Sequence, residues 1–378
     1  MTLAEMVACV DARVRPLLVR LLPARWVVAF YSWARQVALH WLVASTPASM
    51  LAPPPSVGRV LWGLRFRAPL FNAAGMFKTG EGYELAYRQG AGAYLAGTTT
   101  ALPRMGNIRR GIALPFVPYP HSAAASNWLG LPNPGHRAVA ARIATFPRYE
   151  DFPIGVSVAL DPGMDTTEAL ERLLEGLWLY RDAGVDFFEL NESCPNTGDD
   201  TAGFDALAER LRVITERFVR PSGAPVLIKV GADANPAMIA ELVALAGSLG
   251  FGGITIGNTS TDYQRHRLGL ASPDRRVFDY FVRTFGGGIS GEPLRADVLE
   301  RVVVARTAAA SLPSEFHIVA TGGIASSQHL ADVLAAGATL AQWYTGYFER
   351  FARDGHELYR TVLTPLVKPD PLPRGYGG

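Results

Sequence analysis

One thiol stands between amides. The segment Asn191-Glu192-Ser193-Cys194-Pro195-Asn196 follows directly on the apolar run Phe187–Asn191. A cysteine in such a place has two readings: an inert packed residue, or a thiolate acting on a ligand gripped by its amide neighbours. Its position between Ser193 and Pro195, just past a strand end, favours the reactive reading. Asparagine supplies both donors and acceptors, so an amide-rich rim suits a planar, amide-rich ligand. Other apolar runs end the same way: in Asn72-Ala73-Ala74-Gly75 ahead of Lys78, in Gly97-Thr98-Thr99-Thr100, and in Asn258-Thr259-Ser260. Lys229 sits inside Val226–Val230, an uncommon place for an ammonium unless it works on a ligand. Lys78 and Lys229 would stabilise negative charge developing on that ligand.

Two glycine clusters, Gly286-Gly287-Gly288-Ile289-Ser290-Gly291 and Thr321-Gly322-Gly323, point to a phosphorylated cofactor, because glycines let backbone N–H groups approach an anion. Other chemistries lack their signatures. No GxGxxG opens a helix after the first strand, no P-loop is present, and no GxSxG elbow is found. The seven histidines and the two cysteines, Cys9 and Cys194, have no zinc-like spacing, so no metal site is expected.

These residues need a frame that brings strand ends together. Eight short apolar runs provide one: Leu70–Ala74, Ala93–Gly97, Ile154–Ala159, Phe187–Asn191, Val226–Val230, Gly253–Gly257, Ile318–Thr321 and Thr339–Tyr344. Amphipathic segments lie between most of them, such as Thr167–Ala183, Phe204–Phe218, Pro236–Ser248 and Arg295–Ser311. Eight strands with crossover helices predict a (β/α)8 TIM barrel, whose site lies at the carboxyl ends of its strands. Loops after strands seven and eight are the usual phosphate site, which is where Gly323 and Tyr344-Thr345 fall. The intervals Thr98–Pro153 and Thr259–Leu294 are too long for plain crossovers and read as binding loops or lids.

Composition agrees with a large core and excludes several partners. The chain has 378 residues, 49% hydrophobic and 19% charged, which rules out intrinsic disorder. A formal charge of +2 gives no reason to expect nucleic acid. Two cysteines are too few for a disulfide scaffold, and a reducing, cytoplasm-facing location is the default.

Residues 1–55 differ in character and form an expected N-terminal helical extension and linker, with residues 56–378 as the barrel domain. The first 50 residues hold five arginines against two acids, interleaved with Trp26, Phe30, Trp33 and Trp41. Pro16 and Pro23 are expected to break this stretch into short helices before a longer one from about Arg25 to Val43. Arg35, Gln36 and His40 interrupt its most apolar part, so it is not expected to span a bilayer. It reads either as an interfacial helix pair or as a cap packed on the barrel. Pro53-Pro54-Pro55 marks a stiff linker.

From about Trp62 to Phe348 the sequence resembles the dihydroorotate dehydrogenases, FMN-containing TIM-barrel enzymes of pyrimidine synthesis. The resemblance rests on Asn191–Asn196, which is similar to the family's Asn-x-Ser-(Cys or Ser)-Pro-Asn signature. It also rests on Ala73–Lys78 with Gly80-Glu81, Gly97–Thr100, Pro103–Asn107, Asn127–Asn133, Gly257–Thr259, Gly287–Leu294 and Tyr344–Gly346. Cys194 and Gly130-Leu131-Pro132-Asn133 are like the soluble class 1 enzymes. The Lys78 framework, Pro103–Asn107, the Gly288–Leu294 loop and the N-terminal extension are like the membrane-associated class 2, whose members use serine as base. Ser157 stands where class 2 enzymes have an asparagine near the flavin.

The resemblance implies oxidation of dihydroorotate to orotate in de novo UMP synthesis, with Cys194 removing the C5 proton. It implies FMN contacts at Ala74, Gly75, Lys78, Thr98, Asn191, Lys229, Gly257, Gly288, Gly323, Tyr344 and Thr345. Substrate contacts are implied at Lys78, Asn127, Leu129, Gly130, Leu131, Asn191, Asn196, Asn258 and Thr259. A membrane quinone reached through residues 1–50 is the expected electron acceptor, with the enzyme peripheral on the cytoplasmic face of the cell membrane. The alternatives are a cytoplasmic enzyme using fumarate or another soluble acceptor, a flavin- or pyrimidine-binding sensor, and a paralogue acting on a related dihydropyrimidine.

Overall fold

The computed structural model describes residues 1–192, 203–312 and 315–367. Eight parallel strands form its core: β1 (Leu70–Asn72), β2 (Tyr94–Thr99), β3 (Ile154–Val158), β4 (Phe187–Asn191), β5 (Val226–Val230), β6 (Gly253–Ile256), β7 (His317–Thr321) and β8 (Leu340–Trp343). They pair in the order β1-β8-β7-β6-β5-β4-β3-β2. Their ends fall within two residues of the predicted runs. Residues Val226–Val230 of β5 are all buried, as strands covered on both faces require.

The two ends of this sheet, β1 and β2, are joined by a side chain. The amide of Asn72 donates to the Leu95 carbonyl at 2.7 Å and accepts from the Leu95 N–H at 3.2 Å, imitating a strand ladder. Phe77 and Ala96 add one parallel bridge. Asn72 is fully buried, so its hydrogen-bonding capacity has to be met inside the protein. This stitch brings the last strand edge into the barrel.

The two long excursions are more ordered than lids. Phe116–Tyr119 and Ala124–Asn127 from the first pair with Gly288–Gly291 from the second in a three-stranded antiparallel sheet. Close approach explains part of the 286–291 glycine cluster. A Cβ on Gly287 would stand 2.1 Å from the Asn127 carbonyl oxygen, and one on Gly288 would stand 2.2 Å from Thr259 Oγ1.

At the N-terminus, α1 (Leu3–Leu21) and α2 (Ala24–Ala44) lie against this sheet and the last barrel helices. The expected break at Pro16 does not occur: α1 runs through it. Pro16 costs one backbone hydrogen bond. The helix is held on both sides of that turn, by a Thr2–Glu5 capping box, an Asp11–Arg15 pair and buried Val19. Arg276 from α3 (Ser272–Phe285) then donates to the carbonyls of Val19 at 2.7 Å and Leu22 at 2.6 Å. The break at Pro23 is observed. Ser32 of α2 accepts from the Phe116 N–H at 3.0 Å, fastening the helix to the sheet. The proline segment is fastened too, through the Leu51 N–H on the Arg88 carbonyl at 2.7 Å. Among the described residues, no helix is long and apolar enough to cross a membrane.

Candidate active site

A cavity of about 120 Å³ opens at the carboxyl ends of the barrel strands. Ala74, Gly75 and Lys78 reach it from the turn after β1, Thr98 from β2, Asn191 from β4 and Lys229 from β5. Asn258 and Thr259 come from the turn after β6, Gly323 from the turn after β7, and Tyr344 and Thr345 from the end of β8. Asn127 enters from the end of the excursion sheet, and Leu129 and Leu131 from the loop that follows it. Fourteen of the sequence-predicted residues therefore share one cavity. Gly130, Gly257 and Gly288 are not among the lining residues. Gly257 lies so close to β7 that a Cβ would stand 1.7 Å from the Thr321 carbonyl oxygen. Cys194 and Asn196 lie outside the described residues. Asn191, at the end of β4, and Glu192, held by Arg210 at 2.5 Å, lead directly into that segment.

Strand register sets the amide rim. Asn191 pairs with Lys229 across β4 and β5, and Gly97 pairs with Ser157 across β2 and β3. A chain of polar contacts follows: Asn258 Nδ2 to Asn191 Oδ1 at 3.4 Å, Asn191 Nδ2 to Thr98 Oγ1 at 2.9 Å, and Thr98 Oγ1 to Ser157 Oγ at 3.0 Å. Ser157 is fully buried and supports Thr98 from behind; it does not line the cavity. Thr259 Oγ1, in contrast, is buried and lines the cavity without a hydrogen-bond partner among the described residues. A buried orphan hydroxyl marks a place where a ligand atom belongs.

Sequence reasoning missed the partners of Lys229. Its ammonium lies 3.3 Å from Glu189 Oε1 and 3.5 Å from Gln342 Oε1, with all three side chains buried. Gln342 Nε2 donates to Glu189 Oε2 at 2.8 Å, and Thr321 Oγ1 donates to Gln342 Oε1 at 3.0 Å. The cue was available, because Glu189 inside Phe187–Asn191 is as foreign to an apolar strand as Lys229 is to its own. Burying such a pair is costly unless further hydrogen bonds meet its demands, and Gln342 and Thr321 supply them here.

The residues fit a phosphorylated planar cofactor. At the end formed by β7 and β8, the turn Thr321–Ile324 lies against the start of α4 (Thr345–Asp354), and a Cβ on Gly346 would stand 2.0 Å from the Ile324 carbonyl oxygen. Gly322, Gly323, Thr345 and Gly346 therefore bring backbone and a helix N-terminus to the cavity, the arrangement that holds a phosphate. Ser290 and Thr345 hydroxyls meet there at 2.9 Å. The opposite end, with its amides and two lysines, suits a polar ring system.

A second, mostly apolar cavity of about 300 Å³ lies between α1, α2, α4 and the excursion sheet. Val7, Ala8, Ala34, Ala38, Leu42, Phe116, Phe348 and Phe351 line it. Tyr344 and Thr345 line both cavities, so they form a common wall. Arg35 of α2 donates to the Tyr344 hydroxyl through Nη2 at 2.7 Å and Nε at 3.0 Å.

A family model of dihydroorotate dehydrogenase matches residues 57–354. The chain is 31% identical over 342 residues, 86% of its length, to the dihydroorotate dehydrogenase (quinone) of Mycobacterium ulcerans, 85% of which is covered. It is 34% identical over 306 residues to the enzyme of that name from Salinispora arenicola, covering 78% of this chain and 81% of that one. The crystal structure of Eimeria tenella DHODH in complex with ferulenol superposes with a TM-score of 0.71 at 20% identity, covering 88% of this chain and 90% of that one. That likeness is one of fold.

Proposed function

Because the chain belongs to the dihydroorotate dehydrogenase family, we propose that it oxidises (S)-dihydroorotate to orotate with FMN as cofactor and delivers the electrons to a membrane quinone. The observation that carries this reading is the common wall: an amide- and lysine-lined cavity in the barrel and an apolar one under the N-terminal helices meet at Tyr344 and Thr345. Bound in the barrel cavity, FMN supplies the acceptor for the substrate's C6 hydride and the donor for the quinone.

The chain's own residues supply orientation, charge and a base. Asn127, Asn191, Asn196 and Asn258, with the Thr259 hydroxyl and the backbone from Leu129 to Leu131, hold the pyrimidine edges. Cys194 takes the C5 proton. Lys78 would bridge substrate and cofactor, and Lys229 would stabilise negative charge on the reduced ring. Gly323, Tyr344 and Thr345 take the phosphate at the helix N-terminus.

Residues 1–55 form the acceptor-side domain. Leu3, Val10, Val14, Leu17, Leu21, Trp26, Phe30, Trp33 and Trp41 are exposed on α1 and α2, alongside the exposed Arg13, Arg20 and Arg25. Apolar and basic side chains together suit peripheral attachment to an anionic membrane surface, on the cytoplasmic side. A soluble acceptor such as fumarate is the second reading, favoured by the class 1-like Cys194. Steady-state oxidation of dihydroorotate with quinone, fumarate and NAD side by side tests the choice. Turnover fastest with quinone is expected; faster turnover with fumarate overturns the acceptor assignment.

A further inference from the structure

The apolar cavity holds six side chains able to carry charge: Asp11 and Arg15 from α1, Tyr31 and Arg35 from α2, Tyr344 at the common wall, and Glu349 from α4. Five of them are matched. Asp11 accepts from Arg15 Nε at 2.8 Å and from the Tyr31 hydroxyl at 3.0 Å, while Arg35 is committed to Tyr344. Glu349 receives no hydrogen bond among the described residues; what acts on it is burial, then Arg15, then Glu292. Burial, the largest of these, raises its carboxyl above the usual range, with Glu292 pushing the same way and Arg15 opposing. Arg15 is already neutralised by Asp11. On its own helix, Arg350 and Asp354 pair with each other.

Position gives this carboxyl a use. Glu349 follows Thr345 by four residues, so it lies on the same face of α4, one turn of about 6 Å from the common wall. A quinone whose head rests against Tyr344 and Thr345 thus has a carboxyl within its own cavity.

We propose that Glu349 is the proton donor to the acceptor during its reduction, an inference that rests on the quinone reading above. A quinone becomes a hydroquinone by taking two electrons and two protons. The electrons come from dihydroorotate by way of the cofactor, and one proton accompanies them. The other comes from Glu349: its O–H bond breaks, a hydroquinone O–H bond forms, and the carboxylate left behind is reprotonated from solvent. The C5 proton released from the substrate balances the one drawn in.

The test compares the wild-type holoenzyme with Glu349→Gln, which keeps the shape and loses the proton. Each is reduced anaerobically with dihydroorotate, then reoxidised either by a benzoquinone with a short alkyl tail or by ferricyanide, which takes electrons without protons. Reoxidation by the quinone should fall about a hundredfold in the variant, the low end of general-acid effects, while reoxidation by ferricyanide is unchanged. The wild-type quinone rate should decline as pH rises through the carboxyl's titration, the variant should lack that decline, and Glu349→Asp should restore part of both. Binding supplies a second readout: a non-reducible quinone analogue should bind the wild type more tightly at low pH and bind Glu349→Gln independently of pH. Equal slowing with both oxidants, or an unchanged quinone rate across pH, overturns the proposal. A wild-type holoenzyme that ferricyanide reoxidises and the quinone does not would overturn the quinone reading itself, and the proton donor with it.

Discussion

Arg35 and Tyr344 stand 309 residues apart in sequence, yet Nη2 and Nε of the arginine both point at the tyrosine hydroxyl, at 2.7 and 3.0 Å. A helix on the surface is thereby tied to the wall of the barrel cavity. Charge-assisted hydrogen bonds contribute about 1.5–3 kcal/mol. Arg35→Ala is therefore expected to raise the KM for quinone at least about tenfold, while flavin reduction by dihydroorotate changes far less. Stopped-flow measurement of the two half-reactions checks this. Equal losses in both would show that Arg35 serves the fold alone.

Glu189 and Lys229 predict a stability effect with a compensating double variant. Removing one partner of a buried pair costs about 3–5 kcal/mol, because the other charge is left without compensation. Glu189→Ala should lose about that much in urea unfolding. Glu189→Leu combined with Lys229→Met should recover much of it, and the recovered protein should retain little FMN, as judged by absorbance after gel filtration. A double variant as unstable as the single one would show that the pair is not the source of the loss.

Cys194 is assigned the base. A free thiol has a pKa near 8.5, so flavin reduction should rise with pH through an apparent pKa belonging to this residue. Cys194→Ala should keep FMN and bind orotate yet lose at least about a hundredfold in flavin reduction. Cys194→Ser should keep some activity, with its pH dependence moved upward. Cys9, in α1, serves as the control, and its replacement should leave flavin reduction unchanged. A wild-type rate in Cys194→Ala would assign the base elsewhere.

Strand ends and the amide rim were legible because strand runs, turn glycines and a lysine inside an apolar run are local signals. Val226–Val230 and Phe187–Asn191 were read to the residue for that reason. Pairings between distant segments were not legible. Gly288–Gly291 reads as a glycine loop in isolation and becomes a strand only when Ala124–Asn127 lies beside it. Helix continuity through Pro16 depends on tertiary contacts that outweigh one lost hydrogen bond. Gln342 drew no attention because a glutamine gains meaning only from Glu189 and Lys229, which come from two other strands.

Deleting residues 1–50 should reduce quinone-dependent turnover much more than flavin reduction. Each basic residue near an anionic surface contributes about 1 kcal/mol, so the exposed arginines of this segment should dominate liposome binding. Flotation with anionic vesicles measures that binding, and retention of it after deletion would show that another surface attaches the protein.

His136 predicts a pH dependence of stability. Burial lowers its pKa from 6.5 to about 3, with Nδ1 at 3.0 Å from Thr99 Oγ1. The unfolded chain binds this proton near pH 6.5 and the folded one does not until about pH 3, so the unfolded state holds more protons between those values. Stability attributable to this group is complete above pH 6.5 and declines as pH falls through that window, by up to about 1.4 kcal/mol per pH unit. Urea unfolding of the wild type and His136→Gln between pH 7 and 4.5 should show a shallower slope in the variant. Parallel slopes would overturn the assignment.

The wall made by Tyr344 and Thr345 works as a bulkhead between an aqueous compartment and an oily one. In the proposed reaction electrons would cross it and neither reactant would, so the water-soluble and lipid-soluble partners would not compete for the same space. Compounds shaped for the oily side should show noncompetitive kinetics toward dihydroorotate, and orotate analogues should show them toward the quinone. Evolution or a chemist can therefore remodel one compartment without disturbing the reactant specificity of the other.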